Sequence, residues 1–283
     1  MSALAAELAQ PAELGLLAVL QGLTEFLPVS SSGHLVLAQA WLGFEGSAVR
    51  LDVALHLGTL GAVLVGYRRD LAAIARDALR ADLREVFMLA LGTLPAVVVG
   101  LLFKDALHAA FGSTRAAAFG LCATAAILIA GERARRRRRA QGAAALEVAG
   151  TERTGDGNVG RERVGPLDAI AIGTAQALAI FPGISRSGST IACGLMRGLH
   201  PRAAARFSFL LAIPAIAGAA VLELPDAGAN DGIGTGALVA AALLAGVVGY
   251  AALRGLLAFL GRGAFTWFAV YVAVLGAAVL AFG

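Results

Sequence analysis

The sequence predicts an all-α polytopic membrane protein built as an inverted-topology repeat. Each half is expected to hold one re-entrant helix pair and three transmembrane helices. Three observations predict this. Of 283 residues, 58% are hydrophobic and only 15% charged, with a mean hydropathy of +0.78. Several apolar stretches approach the ~20 residues that cross a bilayer. A polar stretch near the start, "QGLTEFLPVSSSGH", recurs 155 residues later as "QALAIFPGISRSGS" with no gap and six identities in 14 positions.

The elements follow in order. The first repeat covers 1–131, with a re-entrant arm at 12–43 and transmembrane segments at 52–67, 86–103 and 117–131. Within the arm, the limb at 30–43 opens on Ser30, Ser31 and Ser32 and is about 14 residues long. At ~1.5 Å per residue it reaches about 21 Å, short of a ~30 Å hydrocarbon core. The break falls at Pro28, and such backbone survives at membrane depth only where protein or water surrounds it. A basic, Gly-rich linker is expected over 132–164. It contains "RARRRRRA" (133–140), read as a topology determinant with secondary contact to anionic lipid. The second repeat covers 165–283, with a re-entrant arm at 166–198 broken at Pro182 and transmembrane segments at 203–222, 237–260 and 264–282. Abundant Gly and Ala suit close helix packing in lipid.

Charge assigns the sides. If both arms return to the side they entered, 19 of the 23 Lys and Arg residues share one side. If each arm crossed once, the split would be 14 to 8. The first arrangement obeys the positive-inside rule and puts the basic loops in the cytoplasm and both termini outside. No Lys or Arg precedes Arg50 and Glu13 interrupts the first apolar run, so no cleaved signal peptide is expected. Cys122 and Cys193 both lie in apolar runs and imply neither a disulfide framework nor a metal cluster.

Two broken-helix tips in an inverted repeat meet near the midplane. The alignment of the halves shows how they differ. Gln21, Ser30, Ser32 and Gly33 match Gln176, Ser185, Ser187 and Gly188, whereas Glu25 faces Ile180, Ser31 faces Arg186 and His34 faces Ser189. A charge at mid-membrane costs about 2.5–3.5 kcal/mol on insertion scales. An ion pair between Glu25 and Arg186 would offset this, but does not by itself require the Ser, Thr and His around it. Serines at helix starts also serve as N-caps. Two helix N-termini, several hydroxyls and one Arg make an anion site, and phosphate suits it. A carboxylate beside it fits a divalent cation or a proton-transfer role. A phosphate site in the membrane implies a lipid-borne phosphate.

These motifs resemble those of the bacterial undecaprenyl-pyrophosphate phosphatase family, also called bacitracin-resistance proteins. "QGLTEFLPVSSSGH" resembles its Glu/Gln-x-x-x-Glu element and "FPGISRSGSTI" its Pro-Gly-x-Ser-Arg-Ser-x-x-Thr element. The likeness extends through "GFEG" (43–46) and "RFSFLLAIPAIAGA" (206–219) and covers the chain apart from the Arg-rich linker. The resemblance implies a hydrolase that removes one phosphate from the C55 polyprenyl pyrophosphate carrier, recycling it for peptidoglycan synthesis. It implies an inner-membrane protein with a site open to the periplasm and a divalent cation, Mg²⁺ or Ca²⁺. By position, Glu25 would be the essential acid, Arg186 would hold pyrophosphate, and Ser31 and His34 would be the candidates for nucleophile and acid–base partner, with an activated water the other candidate nucleophile. Ser30, Ser185, Ser187 and Thr190 would line the phosphates. Gln21 stands where some members have Glu, so Glu25 and Gln21 are the expected metal ligands. The expected partners are the polyprenyl pyrophosphate lipid, membrane lipids and a second copy in a homodimer, with no nucleic acid. Two other classes compete. Type-2 phosphatidic-acid phosphatases need a Lys-x6-Arg-Pro element that this chain lacks. A transporter or flippase for a polyprenyl phosphate shares the inverted-repeat sign.

Overall fold

Proline sets where the first helix stops. Pro28 has no N–H to donate and disfavours helical backbone at the residue before it, and α1 (Ala3–Phe26) ends just ahead of that residue. The structure, a computed structural model, describes residues 3–44, 48–148, 160–223, 233–260 and 265–283. Among them the chain forms twelve helices and no strand. The chain turns at the Pro28 break and returns as α2 (Ser31–Leu42), 12 residues long. The second broken pair is α8 (Pro166–Leu178) and α9 (Arg186–Met196), 13 and 11 residues, with Pro182 in the turn between them. At ~1.5 Å per residue none of the last three spans a ~30 Å core.

Six helices are long and apolar enough to cross a membrane: α3 (Ala48–Gly66), α5 (Arg84–Leu102), α7 (Thr114–Val148), α10 (Pro201–Glu223), α11 (Thr235–Phe259) and α12 (Phe265–Phe282). They correspond to the six segments expected. Exposed Leu94, Val97 and Leu101 on α5, Val239, Leu243 and Val247 on α11, and Val270 and Val274 on α12 coat the outer faces of these helices. In a helical bundle such side chains face hydrocarbon.

Two elements were not expected. α4 (Arg68–Leu79) and α6 (Lys104–Phe111) are short helices in segments read as loops. α4 is amphipathic, burying Ile74, and Arg206 of α10 pairs with both Asp70 of α4 and Glu85 of α5. A third difference corrects the linker. α7 does not stop at 131 but runs through the Arg-rich stretch to Val148. Ala, Arg and Glu favour helix, and Glu132 pairs with Arg135 at 2.8 Å and Arg136 at 2.7 Å, three and four residues on. Arg138 donates to the Met196 carbonyl at the end of α9, and Arg136 to Thr266 of α12. The basic stretch is thus a docked helical extension. The middle of the expected linker, 149–159, and part of the "GFEG" stretch lie outside the described residues.

Packing brings the tips together. α1 lies along α11, and α8 along α5. Gly22 faces Ala245 and Phe26 faces Gly249, so α1 and α11 run in the same direction. Fully buried Phe26 meets Phe209 of α10 edge-on at 5.8 Å, which anchors the broken end of α1. At the opposite tip Gly183 has φ +87°, and a Cβ there would sit 1.9 Å from the Ala117 carbonyl oxygen. A Cβ on Gly33 would lie 2.8 Å from the Gly183 Cα. The two tips therefore touch backbone to backbone.

Candidate active site

Both short helices begin with the same device. Ser30 accepts from the Gly33 N–H at 3.2 Å, and Ser185 from the Gly188 N–H at 3.1 Å. In each tip a second serine stands 3.3 Å from the cap hydroxyl, Ser32 in one and Ser187 in the other. These are N-caps, at the positions the internal alignment equates. Ser30 adopts φ 71°, a left-handed conformation rare for a residue with a side chain. His34 stabilises it: its Nδ1–H donates to the Ser30 carbonyl at 2.7 Å. Since a carbonyl only accepts, the proton sits on Nδ1, and the bare Nε2 accepts from the Tyr271 hydroxyl at 2.8 Å. The rings stack with centroids 5.6 Å apart. His34 is buried and satisfied at both nitrogens.

The cluster centres on Glu25, 6% exposed at the end of α1. Its Oε1 pairs with Nη2 of Arg186, the first residue of α9. Its Oε2 accepts from the Ser31 hydroxyl at 2.6 Å and from Gln21 Nε2 at 3.1 Å. The ion pair weighed from sequence is thus present, and a serine hydroxyl joins it. His56 of α3 also approaches, its Nε2 3.6 Å from Oε2. That imidazole is oriented by Nδ1–H donating to the Asp52 carbonyl at 2.7 Å, and its side chain is 30% exposed. Asp52 in turn accepts from Gln39 of α2.

The structure thus brings Gln21, Glu25, Ser31 and Arg186 into one contact group. The other expected residues lie around it. Ser187 donates to the Leu27 carbonyl at 3.2 Å, tying the tips together. Thr190 is fully buried and engages the Arg186 carbonyl at 2.7 Å and Ser208 of α10 at 2.5 Å. Both hydroxyls brace backbone or a neighbouring helix, as do the caps Ser30 and Ser185. Sequence reasoning missed His56, Tyr271 and Thr124. Thr124 of α7 pins the second tip, accepting from the Ser185 N–H and donating to the Gly183 carbonyl, both at 2.8 Å. An Asp and a His one turn apart in an apolar helix, Asp52 and His56, were the available signal.

Within this contact group two buried atoms, Arg186 Nη1 and Gln21 Oε1, lack hydrogen-bond partners. An unpaired buried donor costs about 1–3 kcal/mol, more when charged. Half of the Arg186 fork is held by Glu25, and the other half is left for an anion. Two helix N-termini add their partial positive charge at the same place. Gln21 turns its amide nitrogen to Glu25, and with that amide turned over its oxygen and the carboxylate would make a pair of hard oxygens. That pair fits a divalent cation that takes its remaining ligands from phosphate and water. Among the described residues no group of three or more His, Cys, Asp or Glu converges to hold a metal by itself.

The model of the bacitracin resistance protein BacA family matches residues 14–278. A protein of Rubrobacter xylanophilus named undecaprenyl-diphosphatase is 40% identical over 280 residues, covering 94% of this chain and 96% of its own. One of Carboxydothermus hydrogenoformans with the same name is 39% identical over 269 residues, 94% of each chain. One of Desulfatibacillum aliphaticivorans, also so named, is 38% identical over 287 residues, 95% of this chain and 97% of its own.

Proposed function

The chain belongs to the bacitracin resistance protein BacA family, and from that premise we infer how its tip cluster performs the reaction. The protein is a multi-pass membrane enzyme, an undecaprenyl-diphosphatase. It hydrolyses undecaprenyl pyrophosphate to undecaprenyl phosphate and inorganic phosphate, recycling the lipid carrier for cell-wall synthesis.

One observation carries the mechanism: the Ser31 hydroxyl donates at 2.6 Å to a carboxylate whose other oxygen holds Arg186. A nucleophile bonded to a base, with the base oriented by a third group, is the arrangement of an activated hydroxyl. Arg186 Nη1 receives the terminal phosphate, and the N-termini of α2 and α9 share its charge. Ser31 Oγ attacks the terminal phosphorus while its proton passes to Glu25. The bond to the bridging oxygen breaks, and the lipid phosphate leaves with the proton that Glu25 has just taken. Water then attacks the phosphoserine and passes a proton to Glu25, which returns it to Ser31 Oγ as the P–O bond breaks and inorganic phosphate leaves. With the Gln21 amide turned over, its Oε1 and the Glu25 carboxylate would hold Mg²⁺ or Ca²⁺, whose charge would offset that of the pyrophosphate. His34, through the Ser30 carbonyl and Tyr271, holds the strained tip in shape. Rapid acid quench with terminally ³²P-labelled substrate tests the order of events: label on Ser31 supports it, and a label-free protein throughout turnover refutes it.

We place the protein in the inner membrane with its basic side, including the α7 extension, in the cytoplasm. Both termini and the site then face the periplasm. The charge asymmetry supports this, and the reciprocal packing of α1 on α11 and of α8 on α5 supports the inverted repeat.

A further inference from the structure

The ring of His56 enters the cluster from α3, and no step of the hydrolysis uses it. Of the other histidines, His34 is engaged at both nitrogens, and His108 and His200 pair with Glu223 and Glu162. α3 reaches the cluster by packing closely on α11. A Cβ on Gly58 would sit 2.0 Å from the Ala242 carbonyl oxygen, so only glycine fits there. The Thr59 hydroxyl donates to the His56 carbonyl at 3.0 Å. The ring itself is fixed by Nδ1–H, which donates to the Asp52 carbonyl at 2.7 Å. A neutral imidazole with its proton on Nδ1 is a bare acceptor at Nε2. That acceptor faces Glu25 Oε2 across 3.6 Å. Two acceptors turned toward each other repel unless a positive charge stands between them.

A backbone carbonyl that holds one ring nitrogen and aims the other is the support found behind histidine metal ligands. An ion held at ~2.1 Å by two ligands leaves them up to about 4.2 Å apart, so one ion can reach both atoms. Gln21 Oε1 is buried and unpartnered in the same group, and with its amide turned over it is a third donor. Arg186 holds the other carboxylate oxygen, Oε1, so guanidinium and ion take different oxygens of Glu25. The His56 side chain is 30% exposed, which leaves the ion room for phosphate oxygen and water. We propose that His56 Nε2 is a ligand of the divalent cation, together with Glu25 Oε2 and Gln21 Oε1. The proposal rests on the reading of this cluster as a cation site. Its consequence is selectivity. Oxygen ligands suit Mg²⁺ and Ca²⁺, whereas an imidazole nitrogen suits later first-row ions such as Co²⁺. With His56 as ligand, the site prefers Co²⁺ to Ca²⁺.

Binding of Co²⁺ and of Ca²⁺ is measured by calorimetry on the full chain in detergent, after removal of metal with chelator. In His56→Ala the Co²⁺ affinity falls at least ~10-fold, the low end for disturbing even an outer partner of a metal ligand, while that for Ca²⁺ stays within about threefold. His56→Gln loses the same preference and preserves the readout if the Ala variant is poorly produced. His108→Ala, which alters an imidazole away from the cluster, leaves both affinities unchanged. Proton NMR of the Co²⁺ complex reports coordination directly: wild type shows a strongly shifted, solvent-exchangeable ring N–H, the Nδ1 proton of His56, and His56→Gln does not. Unchanged Co²⁺ affinity in both His56 variants, equal losses for the two ions, or the same shifted proton in His56→Gln overturns the ligand and leaves a cation site built from oxygens. Wild-type protein that binds neither ion removes the cation reading as well.

Discussion

Replacing Glu25 by Gln keeps the side chain's shape and removes its charge. The surroundings can absorb the new amide. Gln21 presents an unpartnered Oε1 that accepts from it once the Gln21 amide turns, and the Ser31 hydroxyl rotates from donating to accepting. The uncompensated element is Arg186, whose side chain is 16% exposed. Stranding a fully buried charge costs about 3–5 kcal/mol, and this partial exposure places the loss of stability below that range. Chemistry suffers more, because nothing remains to take the Ser31 proton; turnover falls at least ~100-fold, the size usual for a positioned acid–base group. Two assays separate these effects. Phosphate release from C55 pyrophosphate reports the chemistry. Thermal unfolding in detergent with and without inorganic phosphate reports the pairing, since phosphate replaces the missing carboxylate beside Arg186 and raises the Tm more in the variant than in wild type. If Glu25 contributes chiefly through a cation, the variant also loses its rate response to added Mg²⁺; if through proton transfer, that response persists at a lower rate. Wild-type turnover by Glu25→Gln at saturating metal refutes both roles and leaves Glu25 as the ion-pair partner of Arg186.

Three further expectations follow from particular contacts. Gly183→Ala forces a side chain into a left-handed conformation, costing about 1–3 kcal/mol, and adds a clash with the Ala117 carbonyl; Tm and activity both fall, and an unchanged Tm contradicts the tip geometry. Tyr271→Phe strands the buried His34 Nε2, so stability falls by about 1–3 kcal/mol and turnover slows, measured by unfolding and phosphate release; a silent variant contradicts the bracing role. In a background lacking Cys122 and Cys193, Gln141→Cys at the α7 extension labels with an impermeant maleimide only after cells are permeabilised; ready labelling of intact cells contradicts the proposed sides.

Much of the candidate site's local geometry was legible because it rests on local chemistry. Pro28 and Pro182 announce the breaks, and serines at both restarts announce caps. The internal alignment of Ser30 with Ser185 and Gly33 with Gly188 holds down to matching hydrogen bonds. What escaped depended on tertiary placement or on helix phase. His56 is a lone imidazole in an apolar span, and only the packing of α3 against α1 aims it at Glu25. The motif groups Thr190 with the phosphate-lining hydroxyls; its bond to the Arg186 carbonyl, four residues back on its own helix, follows from helix phase. The Arg-rich stretch read as linker because its composition is charged; Glu132, placed one turn ahead, makes it a helix.

Hydrolysis is proposed to occur where the two broken-helix tips meet. That placement is tested most directly by phosphate release from C55 pyrophosphate by purified wild type, Arg186→Ala, Arg186→Lys and Arg137→Ala under identical conditions. Removing the positive charge from a water-poor site costs several kcal/mol of transition-state stabilisation, about 10²–10³ in kcat. Lysine restores little, lacking the planar fork that pairs with a carboxylate on one side and a phosphate on the other. Arg137, exposed on the α7 extension, is dispensable. Near-normal turnover by Arg186→Ala, with wild-type rates from Arg137→Ala in the same preparation, would contradict the account and place the chemistry elsewhere in the molecule.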